Sequence, residues 1–173
     1  SFSQTIPLLT DDSAFSNSIT LASYYPITDE MIFSINFHTK SINSITDEDV
    51  RLSKRLYLPS RRLRGFESGK IGPKDGTDFI GGNYVTALNV STTLPELLKD
   101  LENVEFKFFY DLGNVWGVDY NSSLDKNKIR SSTGLSIDWF TVVGPLSFSF
   151  AQPITKADTD ITEGFRFDIG TTF

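Results

Sequence analysis

Residues 61–74 read RRLRGFESGKIGPK and bring together Arg61, Arg62, Arg64, Lys70 and Lys74. The wider stretch 51–74 holds eight of the chain's 16 Lys and Arg against one acid, Glu67, although the net charge is -6. Such a cluster can lie in solvent, meet an anionic membrane surface, or pair with carboxylates elsewhere in the fold. Arginine suits the last use, because its planar fork meets a carboxylate through two parallel hydrogen bonds. Nucleic acid fits poorly: the chain is acidic and no aromatic stacking platform accompanies the cluster.

Catalytic chemistry finds few parts. The chain has one histidine, His38, and no cysteine, which excludes a thiol metal site and argues against a His-based site or a Ser/His triad. Glu102, Glu105, Asp111 and Asp119 are carboxylates without an accompanying nucleophile. Gly134-Leu135-Ser136 falls inside a strand pattern instead of a strand-to-helix turn. Gly81-Gly82-Asn83 reads as a loop-to-strand junction, not a phosphate cradle. The expectation is a protein that is not an enzyme and uses no metal or cofactor.

The elements that must position these residues read as strands. Successive side chains of a strand point to opposite faces. In GFRFDIGTTF, Phe165, Phe167, Ile169, Thr171 and Phe173 oppose Arg166, Asp168, Gly170 and Thr172. In VEFKFFYDLG, Val104, Phe106, Phe108, Tyr110 and Leu112 oppose Glu105, Lys107, Phe109, Asp111 and Gly113. Phe33, Ile35 and Phe37 oppose Ser34, Asn36 and His38; Tyr84, Leu88 and Val90 oppose Val85, Asn89 and Ser91. Leu135, Ile137 and Trp139 oppose Ser136 and Asp138; Leu146, Phe148 and Phe150 oppose Ser147 and Ser149. Eight strands are expected, at 2–9, 16–26, 31–42, 83–94, 104–116, 129–142, 145–154 and 164–173.

Strands of about ten residues cross a bilayer at a tilt. Short turns (Pro26 to Glu30, Val143-Gly144) alternate with long connections (43–82, 117–128), as in an outer-membrane barrel. The apolar faces then point outward to lipid, the reverse of a soluble carrier barrel. Tyr110, Trp116 and Trp139 suit an interfacial aromatic girdle. Leu94 to Leu101 allows a helical turn or a plain connection. Segment 43–82 has too little alternation for sheet and is longer than an ordinary loop, which points to a functional role. Asp111-Leu112-Gly113-Asn114 can be read as strand interior or as a strand end and turn.

The strings LRGFESGKIGP, GGNYV, FYDLGNVWG, IRSSTGLSIDWFTVVGPLSFSFAQPI and the terminal FRFDIGTTF, in that order, resemble the outer-membrane barrel-assembly family typified by BamA. The resemblance covers nearly the whole chain and implies an all-β, antiparallel meander transmembrane β-barrel. These eight strands correspond to the C-terminal half of a barrel of about sixteen, with one long loop carrying RGF. It implies residues 1–173 as the C-terminal part of the barrel domain, with the periplasmic POTRA domains absent from this chain. It implies a bacterial outer-membrane location and a part in folding and inserting other barrels. Its partners would be outer-membrane lipids, unfolded outer-membrane protein clients and the accessory lipoproteins of the machinery, with no nucleic acid. Within the family the RGF loop folds back onto the wall, so Arg64, Gly65 and Phe66 carry the motif and Asp111 is the wall partner. A second wall position, often acidic in the family, aligns with Ser91, and the Gly-rich run usually found before RGF is here LPSRR. The last strand, with Phe165, Phe167, Ile169, Gly170 and Phe173, supplies one side of the barrel seam and the C-terminal signal. Client strands would be templated at that seam. Two alternatives stay open: a passive eight-stranded structural or channel barrel, or a related polypeptide-transporting barrel. Self-closure of eight strands would leave too little room inside for the long loop.

Overall fold

Eight strands lie side by side in chain order, as alternation predicts. The computed structural model describes residues 1–5, 14–46, 48–95, 103–125, 127–142 and 144–170. The strands are β1 (Phe2–Thr5), β2 (Ala14–Pro26), β3 (Ile32–Ser44), β6 (Tyr84–Thr93), β7 (Val104–Trp116), β8 (Arg130–Thr141), β9 (Gly144–Thr155) and β10 (Phe165–Ile169). All are antiparallel to their neighbours, and the sheet order is β1-β2-β3-β6-β7-β8-β9-β10. β1 and β10 end the sheet, each with one strand neighbour among the described residues. Residues 6–9 of the first expected strand, the 96–101 part of the possible helical turn, Val143 and residues 171–173 lie outside the described residues.

One expectation is corrected. Segment 43–82 is not wholly without sheet: β3 runs on to Ser44, and β4 (Lys74–Asp75) pairs with β5 (Asp78–Phe79). Two-residue strands are too short to show alternation; they are joined by the two-residue turn Gly76-Thr77, with Gly at its first central position at φ 57°. Of the two readings of Asp111 to Asn114, strand interior holds: β7 continues through it to Trp116, paired with β6 throughout and with β8 as far as Gly113. Side-chain pairing across three strands outweighs the local turn preference of Asx and Gly.

The pairing register places Asn36, Asn89, Asp111 and Ser132 in one row across the sheet on one face. Along that face run Phe109, Gly113 and Val115 of β7, with Ser136 and Asp138 of β8 and Arg166 and Asp168 of β10. The opposite face carries Leu21, Ile35, Phe108, Leu135, Phe150, Phe165, Phe167 and Ile169, all exposed. Cross-strand rings pair there, with Phe148 and Phe167 at 4.9 Å and Phe150 and Phe165 at 5.0 Å. Trp116 stacks on Tyr84 at 5.7 Å at the long-loop end, while half-exposed Trp139 sits opposite Val104 at the other end. Aromatics at both ends of an apolar face suit two interfaces. Phe148→Lys is therefore expected to cost about 2–4 kcal/mol when the protein is folded into lipid vesicles. Stability unchanged by that substitution would remove this face from the lipid.

The covered face is polar toward the short turns but apolar near the long loops, where Ile42, Val85, Ala87 and Val115 are buried. The loop between β3 and β6 lies on that apolar patch. Its Val50, Leu56, Leu58, Leu63, Phe66 and Ile71 are buried in one cluster with the patch. Gly113 makes room, since a Cβ there would stand 2.7 Å from Leu58 Cδ2. The loop pins its own base through a bridge between Leu56 and Gly82. At 25 cal/mol per Å², each fully buried large aliphatic or Phe side chain contributes roughly 1.5–3 kcal/mol. Hydrophobic burial thus seats the loop, and polar contacts fix where it sits.

Candidate functional site

Arg64 reaches the covered face through three hydrogen bonds to one carboxylate. Its Nε donates to Asp111 Oδ2 at 2.7 Å, its Nη2 to Oδ1 at 2.8 Å, and its backbone N–H to Oδ2 at 3.1 Å. The Asp111 side chain is fully buried, and that of Arg64 is 18% exposed. The guanidinium carbon lies 3.5 Å from the centre of the Phe109 ring, two residues before Asp111 on the same face. Asn89, directly across from Asp111 on β6, completes the site. Its Nδ2 donates to Asp111 Oδ1 and to the carbonyl of Arg62, both at 2.8 Å. From β8, the Ser132 hydroxyl donates to the carbonyl of Arg64. Strand parity aims the side chains of Asn89, Asp111 and Ser132 at one spot, and the loop brings a cation there.

The other motif residues have separate reasons. Gly65 adopts φ 89°, and a Cβ on it would come within 3.2 Å of both Ala151 Cβ and Ser132 Cβ. A left-handed backbone pressed onto two strands favours glycine. Phe66 is 1% exposed and forms an isolated bridge to Thr162 in the β9–β10 connection. Arg61 is exposed and Arg62 half-buried. Ser91 takes no part in this contact: it pairs across from Phe109 and its hydroxyl bonds Ser34 at 2.7 Å. Asn89, one step along the same face, touches the carboxylate instead. An amide there donates to Asp111 and adds no charge, leaving the arginine a single acid.

Of the residues expected at a seam, Phe165, Phe167 and Ile169 share the exposed apolar face of β10. Gly170 follows at φ 67°, its N–H bonded to the Pro145 carbonyl at 2.8 Å. Phe173 lies outside the described residues.

Among the charged contacts not foreseen, two join arginines to acids in irregular connections. Arg130 on β8 grips Asp160 through Nε–Oδ2 and Nη2–Oδ1, both 3.0 Å, with both side chains almost wholly buried. Arg55 pairs with Asp119 beyond the end of β7, where Asp119 also accepts from Val50 N–H at 2.7 Å and Asn83 Nδ2 at 3.1 Å. Their signal was the placement of Arg130 at the entry to β8 and Arg55 in the basic stretch, but their partners are acids in irregular connections, where no period points. Burial pushes the Asp119 carboxyl up. The Val50 N–H, the Asn83 amide and the Arg55 guanidinium together outweigh that and hold it below its ordinary value. A carboxyl lowered on folding stabilises fully above its unfolded value of about 3.9 and loses that effect as pH falls through its folded value. The loop base is expected to resist proteolysis equally from neutral pH to about 5 and to open only below about 4. Loss of protection already between neutral pH and 6, measured by cleavage within 45–60, would assign the contact to another group.

The whole chain, residues 1–173, matches the Omp85 superfamily domain. The chain belongs to the Omp85 superfamily. Omp85 relatives include the outer membrane protein assembly factor BamA of Neisseria meningitidis, 28% identical over 90% of this chain and 21% of that protein. A SAM50-like protein of Schizosaccharomyces pombe is 30% identical over 81% of this chain and 31% of that protein. The crystal structure of BamA from Haemophilus ducreyi lacking POTRA domains 1-3 superposes with a TM-score of 0.82 at 26% identity. It covers 94% of this chain and 35% of that one. The chain therefore spans about a fifth to a third of the length of these three proteins. Its eight-stranded antiparallel meander is a segment of an Omp85 outer-membrane β-barrel of the bacterial, BamA-like type. The lipid-facing and covered faces are the two sides of that barrel wall.

Proposed function

We propose that this Omp85 segment is the C-terminal part of the barrel domain of a longer assembly factor, one that folds and inserts β-barrel proteins into the outer membrane. The observation that carries the reading is the likeness, in sequence and fold over nearly the whole chain, to proteins named as assembly factors. Clients would be unfolded outer-membrane proteins, and accessory lipoproteins and POTRA domains would act with the longer protein. The work would be template pairing without catalysis or a cofactor: a client strand adds to an exposed backbone edge, as in β-augmentation. The edge of β10 carries that role. A row of backbone donors and acceptors beside lipid is costly unless paired, and this gives a client strand its affinity. The RGF loop, held by Arg64 and Asp111 across the barrel interior, sets the wall's shape near that edge. A loop seated there also supports assembly over a passive open channel.

The test is depletion of the longer protein from its own cell, followed by heat-modifiability gels of resident barrels. Folded barrels should fall while their unfolded forms accumulate. Normal folded levels after depletion would overturn the assignment.

A further inference from the structure

The connection between β9 and β10, residues 156–164, meets the docked loop at Gly65, Phe66, Glu67 and Lys70. Asp160 is its fixed point. Both carboxylate oxygens meet the Arg130 fork, and Oδ2 also accepts the Ala157 N–H at 2.6 Å. The remaining Arg130 amine, Nη1, donates to Asn114 Oδ1 at 2.7 Å and to the Lys128 carbonyl at 2.6 Å. Arg130 is 1% exposed, so the pair is dry and satisfied on several sides. A buried fork of this kind is held firmly in one geometry and is costly to half-break.

The next three residues run beside RGF. Glu67 N–H donates to the Ile161 carbonyl at 3.0 Å, Glu163 N–H to the Gly65 carbonyl at 3.0 Å, and Ile161 N–H to the Lys70 carbonyl at 3.1 Å. The Gly164 carbonyl then accepts the Ala151 N–H at 2.9 Å, and Phe165 opens β10. Anchor, RGF contact and edge strand are thus consecutive in the chain, with no slack residue between them. Nothing in the resemblance assigned this connection a part.

We infer that Arg130 and Asp160 are positioning residues that make RGF docking and the alignment of β10 on β9 a single cooperative unit. The inference rests on the reading of β10 as a working edge. When Arg64 is seated on Asp111, Gly65 and Glu67 hold 161–163 in place, and the Arg130–Asp160 fork sets where that segment begins. β10 is then delivered to β9 in one register. When the loop leaves, 161–163 loses its ladder, and the strand that follows loosens from its first residue. Coupling of this sort needs a contiguous element with two arrangements, and residues 160–165 provide one.

The experiment is amide hydrogen exchange on the full-length protein in lipid vesicles, read at 64–67 and at the β10 amides bonded to β9. Glu163→Pro removes the N–H given to Gly65 and leaves the buried fork untouched. It is expected to raise exchange at least about tenfold at both places, whereas Glu163→Ala, which keeps the N–H and gives up only the part-exposed 3.4 Å pair with Arg166, is expected to change neither by more than about twofold. Arg64→Ala is expected to raise exchange in β10, although it touches no β10 residue. Asp160→Asn should do the same with the carboxylate's shape retained. If Asp160→Asn fails to fold, Glu163→Pro and Arg64→Ala still decide the matter. Exchange that rises at 64–67 in both of these while β10 stays protected overturns the coupling. Client insertion, measured on the same vesicles, is a separate readout. Exchange that rises at both places while insertion stays at the wild-type level would count against the assembly reading and leave the coupling standing, and insertion lost without any change in β10 would count against the coupling.

Discussion

Asp111→Ala in the full-length protein is expected to cost about 3 kcal/mol of loop docking, at the lower end of the 3–5 kcal/mol for breaking a buried ion pair. The carboxylate is wholly buried and takes three hydrogen bonds from Arg64 and one from Asn89. Its loss leaves a guanidinium against Phe109 with no anion. Some water reaches Arg64, whose side chain is 18% exposed, and this keeps the cost from the upper end. Asp111→Asn keeps the shape and one acceptor, so it should cost less, about 1–3 kcal/mol. Protease cleavage within 45–82 reports the change directly. Arg61→Ala, at an exposed position, should leave cleavage as it was. If Arg61→Ala opened the loop and Asp111→Ala did not, the basic cluster would work at the membrane surface instead.

Gly134→Ala should destabilise the barrel by about 3 kcal/mol, the upper part of the usual overpacking range. A Cβ at Gly134 would overlap the carbonyl oxygen of Phe150 and stand 2.7 Å from Phe109 Cζ. The first obstacle is backbone of the neighbouring strand, which yields only by distorting the β8–β9 ladder. The second is the ring on which Arg64 rests. The same substitution is therefore expected to loosen the loop as well as lower the urea midpoint of the vesicle-folded protein. A loss of unfolding free energy below about 0.5 kcal/mol would mean that the strands separate here at little cost. Gly134 drew attention in the sequence only as part of a rejected nucleophile string; its packing role needs the β7 and β9 neighbours, which composition does not supply.

What alternation could reveal was the wall. Phe165, Phe167 and Ile169 share a face, and Asp111 takes the polar side of β7, because period two follows from strand geometry alone. What it could not reveal was anything set by irregular chain. Leu56, Leu58, Leu63 and Ile71 have no common period, since the loop that carries them is not sheet. Their seat, Val85 and Val115, interrupts an otherwise polar row. The choice of Asn89 over Ser91 turns on a single step of same-face register. The Arg130–Asp160 fork joins residues 30 apart across a β-bulge, where Ser131 and Ser132 face Thr155 and Pro153. The extra residue, Ile154, re-aims the end of β9, and Pro153 is tolerated beside it because a bulge spares a ladder N–H. RGF itself was legible by resemblance, and its physical reasons, a left-handed glycine between two strands and a buried ring bridged to Thr162, come from the fold.

The most direct test of the account is a double-mutant cycle on Arg64 and Asp111 in the full-length protein, reading loop protection and client insertion in one vesicle preparation. Groups that act as one contact are non-additive. Arg64→Ala and Asp111→Ala should each expose the loop and slow client insertion, and the double variant should be little worse than either. Losses that add in full, or insertion unchanged when the loop is released, would contradict the claim that this one contact holds the loop for assembly.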